Sequence, residues 1–366
     1  MEAGKGPRDH IIIGIHPDRK GSQSYSEKWT ELIEERGAIA RRVNLLALDW
    51  LDQVLECDGI MWRWSLELDE KLPARRILYV IEHYLHKPVF PDTLTSWHYD
   101  DKLAQYYLFQ ALGVPTPNTW VFWHYDEAVK WAQSARYPLV CKLAVGASSS
   151  EVVKVENQLE AVELIERAFQ AGIFPGNLAK RSVHVTIPAL GESIRQIVGR
   201  IRSGIRYVWS SEYPPLGHWW LPERGYVYFQ EFISGNEFDT RVIVIGDYAW
   251  ACRRFNRPND FRASGSGLVD FSPDQIEDIF IRMAFQIAQK AGLSSVAFDF
   301  LKKDERPVVT EISYTFSQKP PWRDFPGYWT PDIKFHEGTL WPEQVQVEMF
   351  LKRVGDYKRA RGTVPL

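Results

Sequence analysis

Residues 295–313 read Ser-Val-Ala-Phe-Asp-Phe-Leu-Lys-Lys-Asp-Glu-Arg-Pro-Val-Val-Thr-Glu-Ile-Ser. Two runs rich in β-branched and aromatic residues flank a short polar connection, which is the pattern of a β-hairpin. The spacing predicts strands over 295–302 and 307–313. In a hairpin symmetric about Glu305, Leu301 faces Val309, Asp299 faces Glu311 and Ala297 faces Ser313. Two carboxylates then stand directly across from each other, with Cβ atoms roughly 4.5–5.5 Å apart. Phe298, Phe300, Val308 and Ile312 are apolar, so at least the other face is buried and the acids must neutralise or find a cation. Hard oxygens at this separation suit Mg2+, which prefers one or two carboxylates together with phosphate oxygens. The alternatives are a solvated edge strand, or a bulge that puts the two acids on opposite faces.

A magnesium reading implies a nucleotide phosphate partner. Neither a Walker A loop nor a GxGxxG fingerprint is present. Instead Lys142 lies on the apolar run 138–143, which is followed by Gly146-Ala147-Ser148-Ser149-Ser150. An ammonium beside a loop of backbone N–H and hydroxyl donors can clamp a polyphosphate; a solvent-facing edge lysine is the plainer alternative. A second hairpin turns at Gly246-Asp247, so Arg241 opposes Cys252 and Asp239 opposes Arg254. Arg241 and Arg254 share one face, and Arg253 lies on the other. Arginines so placed suit the charge that develops in phosphoryl transfer, although Asp239 with Arg254 reads equally as a structural ion pair.

The 366 residues allow two or three domains at roughly 100–200 residues each. Lys and Arg number 44 against 47 Asp and Glu, a balance that excludes a polybasic nucleic-acid binder and a disordered acidic chain. No nucleic-acid partner is expected. Cys57, Cys141 and Cys252 are too few and too far apart for a disulfide framework or a zinc site, which points to a reducing cytoplasm. No stretch approaches the roughly 20 apolar residues of a spanning helix. Peripheral membrane contact and a homo-oligomer stay open.

Strands over 11–15, 38–45, 59–62 and 87–90 alternate with helices over 25–36 and 68–86, which implies a parallel sheet covered on both faces. Ligands of such sheets sit at the strand C-terminal ends, here His16-Pro17-Asp18-Arg19 and Trp62-Arg63-Trp64. Taken singly, the tryptophans read as packing residues and His16 as readily as a loop residue. A helix over 100–112 is followed by a strand, helix, strand, loop, strand and helix up to residue 171. In 181–225, Ile194, Ile197, Val198, Ile201 and Ile205 keep helical spacing while Arg195, Arg200, Arg202 and Arg206 lie largely off that stripe. A packed helix with a solvated basic face is favoured over a surface for an anionic or lipid-linked substrate. Strands over 226–233, 241–245 and 248–254 and a helix over 273–291 lead to the hairpin.

In order, Asp101-Lys102, the 138–142 strand with its small-residue loop, Gln230-Glu231-Phe232-Ile233, Glu237, Asp239-Thr240-Arg241, Asn259-Asp260-Phe261-Arg262, Phe298-Asp299-Phe300 and Glu311-Ile312-Ser313 resemble the ATP-grasp superfamily. The RimK-like glutamate ligases and glutathione synthetases are the branch they resemble most. The resemblance spans residues 98–316, and residues 1–97 resemble the Rossmann-like domain that precedes this fold. It implies an α/β chain with a Rossmann-like parallel-sheet domain (1–97) and a two-subdomain ATP-grasp fold (98–180 and 181–366), the latter carrying the basic and aromatic insertion 181–225 and a C-terminal tail.

The same resemblance implies that Lys102 and Lys142 contact ATP phosphates beneath the loop carrying Ser148 and Ser149. The backbone of Gln230, Glu231 and Ile233 would meet adenine, and Glu237 would hold the ribose. Asp299, Glu311 and Ser313 would bind Mg2+, while Arg241, Arg254 and Arg262 would contact the transferring phosphoryl group or acyl phosphate. Ser313 stands where the superfamily usually has Asn, which puts a second Mg2+ in question.

The implied activity is ADP-forming ligation of a carboxylate to an amine through an acyl phosphate. A kinase on the same fold and a non-catalytic nucleotide-binding module are the competing readings. The tail, with Trp322-Arg323-Asp324-Phe325-Pro326-Gly327-Tyr328-Trp329 and His336-Glu337-Gly338, resembles superfamily members of cell-surface polysaccharide assembly. That implies small-molecule or glycan-linked carboxylate and amine substrates, although packing of the tail by the same aromatics is the plainer alternative. Asp299→Ala and Glu311→Ala are each expected to abolish turnover and leave the fold intact.

Overall fold

The computed structural model describes residues 10–18, 24–146, 151–175, 178, 221–258, 260–317 and 325–362. Arg19, Ser148, Ser149, Asn259, most of the basic stretch (181–220) and Trp322-Arg323-Asp324 lie outside the described residues. The chain divides into two compact units, one of residues 1–65, 70–119 and 233–366, the other of residues 66–69 and 120–232.

The first unit begins with β1 (Ile12–Ile15), α1 (Tyr25–Glu35), β2 (Ile39–Arg42), α2 (Trp50–Leu55), β3 (Gly59–Met61), α3 (Leu68–His83), β4 (Val89–Phe90), α4 (Thr93–Ser96) and α5 (Lys102–Leu112). The four strands pair in parallel in the order β2-β1-β3-β4, as the alternation of apolar runs and amphipathic stretches predicts. Ser24 caps α1 by accepting from Glu27 N–H at 2.9 Å, and Trp29, Leu32 and Ile33 line the helix's buried face. The predicted strand 38–45 is shorter in the structure because the chain leaves the sheet after Arg42, and the short helices α2 and α4 have too few residues to show a period.

The second unit holds β5 (Thr119–Phe122), α6 (Tyr125–Ala132), β6 (Leu139–Lys142), β7 (Val152–Val155), α7 (Gln158–Phe169) and β8 (Val227–Glu231), with sheet order β5-β8-β6-β7. Leu139, Cys141, Val155, Val227 and Phe229 form its core with Ala128, Ala132, Ala161 and Ile165 of the helices.

The chain then returns to the first unit through β9 (Phe238–Ile245), β10 (Tyr248–Phe255), β11 (Val269–Asp270), α8 (Asp278–Ala291), β12 (Ser295–Lys303), β13 (Arg306–Ser313), β14 (Gly327–Trp329), β15 (Phe335–Glu337) and α9 (Pro342–Gly362). These strands make a sheet ordered β13-β12-β9-β10-β14-β15, with β11 on β10. One face, with Val242, Val244, Val296, Phe298, Phe300 and Ile312, packs on Phe280, Ile281, Ala284 and Ile287 of α8. Part of the other face, Ile243, Ile245, Trp250 and Ala297, packs on Val345 of α9.

Helix α9 also covers the parallel sheet, where Val347, Phe350 and Val354 join Ile13, Trp29, Ile33 and Met61 in one core. The two ends of the chain therefore share a core, and the units cut across boundaries at residues 97 and 180. No apolar period marks the helix over 342–362 in the sequence, because Lys352, Arg353, Asp356, Lys358 and Arg359 dilute its stripe. Gly59 permits the approach of α9: a Cβ there would lie 2.7 Å from Val354 Cγ2 and 2.9 Å from the Phe350 ring. Gly59→Ala is expected to destabilise the protein by about 1–3 kcal/mol through overpacking, measured as a lower urea midpoint at unchanged m-value.

Candidate active site

The register of the β12–β13 hairpin brings the predicted acids together by a route different from the one expected. The turn is two residues long, Asp304-Glu305, both at positive φ (48° and 60°), so Leu301 opposes Val308 and Phe300 opposes Val309. This is the backbone of a tight I′-type hairpin turn, and it replaces the predicted Leu301–Val309 pairing. A bulge then inserts Thr310, whose hydroxyl donates to the Asp299 carbonyl at 3.0 Å. Beyond the bulge Asp299 opposes Glu311 and Ala297 opposes Ser313. The shorter turn and the extra residue cancel, leaving both carboxylates on one face.

Asp299 also opposes Arg241 on β9, and Arg241 opposes Cys252 on β10. Glu311, Asp299, Arg241 and Cys252 thus form one row across four strands. Arg241 donates to Asp299 through Nε at 2.7 Å and Nη2 at 2.8 Å. Arg254 donates to Asp239 through Nε and Nη2, both at 2.6 Å, and its Nη2 lies 2.7 Å from Asp299 Oδ2. The Asp239–Arg254 pair weighed from sequence therefore exists, and the same guanidinium reaches Asp299. Arg253 faces the other way and binds Asp270.

Burial alone would push Asp299 up, but the guanidinium groups of Arg241 and Arg254 hold its carboxyl well below the usual carboxylate range. For Asp239 burial prevails over the attraction of Arg254, and the nearby charge of Asp299 adds to it, so its carboxyl is raised. Burial pushes the Cys252 thiol up to about 12, against the lowering effect of Arg254 and Arg241, so it stands in the row as a neutral thiol.

Helix α5 supplies the next cation. Asp101 caps the helix by accepting from Ala104 N–H at 3.0 Å, and buried Lys102 places Nζ 3.4 Å from Glu311 Oε1. Gln105, one turn on, accepts from Ile312 N–H at 3.1 Å and donates to the Ile312 carbonyl at 2.9 Å. One amide side chain thus docks α5 on the open edge of β13 and satisfies both backbone groups. Sequence reading missed Gln105, since a glutamine on a helix carries no signal of a distant strand edge.

Asp299 and Glu311 are the acids that would hold a hard cation here, and their acceptor capacity differs. Both lone pairs of Asp299 Oδ2 face guanidinium donors, whereas Oδ1 accepts one bond, from Arg241. Glu311 is more open, with 37% of its side chain exposed. Ser313 Oγ donates to the Thr315 carbonyl at 2.7 Å and keeps acceptor capacity. Among the described residues no group of three or more His, Cys, Asp or Glu side chains is placed to hold a metal ion, so phosphate oxygens or water would complete the shell.

The remaining candidates fall elsewhere. Lys142 and Gln230 lie on one face of the second unit's sheet, where Lys142 opposes Tyr228 and Val140 opposes Gln230, and both are buried. Gln230 Nε2 donates to Tyr228 Oη at 3.2 Å. Glu231 ends β8, Ile233 is half-buried and Glu237 is exposed. Arg262 is bound by Asp260, through Nε at 2.9 Å and Nη2 at 2.6 Å. Trp62 and Trp64 are fully buried, the packing role favoured from sequence. In the tail Trp329 is a core residue against Phe335, and Tyr328 stacks on His336.

Solved structures resemble this chain along nearly all of its length. A RimK domain protein ATP-grasp from Sphaerobacter thermophilus is 14% identical, with TM-score 0.51 over 93% of this chain and 100% of that one. A D-alanine–D-alanine ligase from Bacillus anthracis complexed with ATP is 11% identical, with TM-score 0.52 over 95% and 99%. D-cycloserine synthetase is 11% identical, with TM-score 0.55 over 94% and 99%. No family profile matches the sequence, and no curated protein does. The chain has the ATP-grasp fold.

The geometry revises the expectation that removing either acid spares the fold. Asp299→Asn leaves two guanidinium groups under-compensated in a buried site and is expected to cost about 3–5 kcal/mol. Glu311→Gln, at a half-open position facing buried Lys102, is expected to cost less, under about 2 kcal/mol; urea denaturation of both variants checks the contrast. Because the folded-state pKa of Asp299 is depressed, its contribution to stability is complete above about pH 4, the unfolded carboxylate range, and fades as pH falls below it. Asp299→Asn should therefore flatten the loss of stability below about pH 4, measured by denaturation at a series of acidic pH values.

Proposed function

We propose that this protein is an ATP- and Mg2+-dependent ligase that joins a carboxylate to an amine through an acyl phosphate. The observation that carries the reading is the row of Glu311, Asp299 and Arg241, with Arg254 and Lys102 beside it, on a chain with the ATP-grasp fold. Phosphoryl transfer needs positioning and charge neutralisation more than acids or bases. This row offers fixed cations, with Asp299 and Asp239 holding both guanidinium groups in place before any substrate arrives.

In this reading Asp299 and Glu311 hold the magnesium ion, with Ser313 as a weak further donor. The ion, when bound, would neutralise charge on phosphate oxygens and orient them. Lys102 and Lys142 offset the charge of the triphosphate, and Ser148 and Ser149 add hydroxyl donors. Gln230, Glu231 and Ile233 present backbone groups to the base, and Glu237 presents its carboxylate to the ribose. Arg241 and Arg254 steady the phosphoryl group as it passes to the substrate carboxylate; Arg262 belongs to this set by resemblance alone. Among the described residues of the tail Trp329 and Tyr328 serve packing, and the reading stops at a carboxylate and an amine.

The test is an ADP-release screen of the purified protein with MgATP against pooled carboxylates and amines, with mass spectrometry of the products. An amide is expected. A stable phosphorylated product without amide would select the kinase, and absence of turnover across the panel would count against catalysis. Glu311→Gln is expected to lower steady ADP release by about a hundredfold or more, the scale of losing one electrostatic group at a transition state, while remaining folded at the assay temperature.

A further inference from the structure

Arg63 follows β3 at the C-terminal end of the parallel sheet and is only 9% exposed. Its Nε donates to Thr315 Oγ1 at 3.1 Å, and its guanidinium carbon lies 5.5 Å from the centre of the Tyr25 ring. No ion pair and no further hydrogen bond of Arg63 is present among the described residues, and neither Nη is sealed from solvent. Asp18, a carboxylate whose charge acts on Arg63, is already bound to Tyr25 N–H at 2.9 Å and Ser26 Oγ at 3.1 Å.

The other buried cations of this unit differ. Lys71 meets Asp100 at 2.9 Å, Lys102 meets Glu311 and Arg254 meets two carboxylates. Lys87 is surrounded by the carbonyls of Val54, Leu55 and Cys57. A buried guanidinium without a counter-charge is costly in isolation, and it stays charged at any ordinary pH. It is suited to an anion that arrives from outside.

We infer that Arg63 anchors a carboxylate of the substrate, through the two Nη groups it does not use internally. A planar fork matches a planar carboxylate, and a single positive charge balances a monoanion better than a phosphate dianion. The Tyr25 ring supplies an apolar wall beside it. Thr315, which holds Nε, lies four residues beyond Glu311, at most about 13 Å of extended chain away, so the anchor and the proposed metal position can serve one bound substrate pair. The inference rests on the ligase reading, and the carboxylate belongs either to the acyl substrate or to an amino acid that donates the amine.

The test is thermal unfolding of the full chain with saturating MgADP. Three panels are added: L-amino acids, their α-carboxamides, and organic acids without an amine; inorganic phosphate is the control. At least one carboxylate is expected to raise the melting temperature of the wild type. An amino acid that acts while its carboxamide does not identifies the amine donor, and an organic acid that acts identifies the acyl substrate. Arg63→Gln should lose that shift yet keep the shift caused by MgADP, and Arg63→Lys, which keeps charge without the fork, should retain part of it. In turnover, Arg63→Gln should raise KM for the anchored substrate about a hundredfold with KM for ATP unchanged. The inference is overturned if no carboxylate shifts the wild type, if the shift persists in Arg63→Gln, or if phosphate reproduces it. Failure of MgADP to stabilise either protein would instead remove the nucleotide reading, leaving Arg63 to be judged by its carboxylate arm.

Discussion

The constraint on which the site depends is charge balance in the half of the sheet face that, among the described residues, no helix core covers. Asp239, Arg254, Asp299 and Arg241 come from three adjacent strands and bind one another through charge-assisted hydrogen bonds. Each charge would be costly there alone. Together they hold the guanidinium groups at fixed angles, so the strands that carry them, the bulge at Thr310 and the docking of α5 all serve one electrostatic arrangement. The opposite face, packed on α8, gives that arrangement a rigid floor.

The balance also shapes what the site can accept. Three internal cations, Arg241, Arg254 and Lys102, stand against Asp239, Asp299 and Glu311, so the cluster is close to neutral by itself. Glu311 is the open member, held loosely by Lys102 at 3.4 Å, and is therefore the acid best able to change partners. Arg63 lies outside this balance, and its unanswered charge sets it apart.

Much of the fold was legible in the sequence because its signals are local. The alternation of short apolar runs with amphipathic stretches gave the parallel sheet, Gly246-Asp247 gave the β9–β10 register, and the apolar and acidic alternation around Asp299 and Glu311 gave their shared face. The hairpin shows the limit of such reading. A two-residue turn and a bulge are each displaced by one from the symmetric expectation, and only their cancellation kept the carboxylates opposed. Helix α9 escaped because charged residues dilute its stripe, and its apolar positions have meaning only against β3, where Gly59 makes room.

By itself the sequence determined which side chains lie on a common strand face, since the period of a strand is two whatever surrounds it. It also supplied an order of motifs that resembles the ATP-grasp superfamily. Apart from Asp239 with Arg254, which the β9–β10 hairpin register already offered, which cation answers which acid was decided by tertiary structure. The pairing of β9 with β12 puts Arg241 on Asp299, α5 brings Lys102 to Glu311, and the meeting of β3 with the end of β13 leaves Arg63 with a hydroxyl in place of a carboxylate. Ion pairing depends on distances of a few ångströms between segments far apart in the chain, and no local pattern encodes those distances.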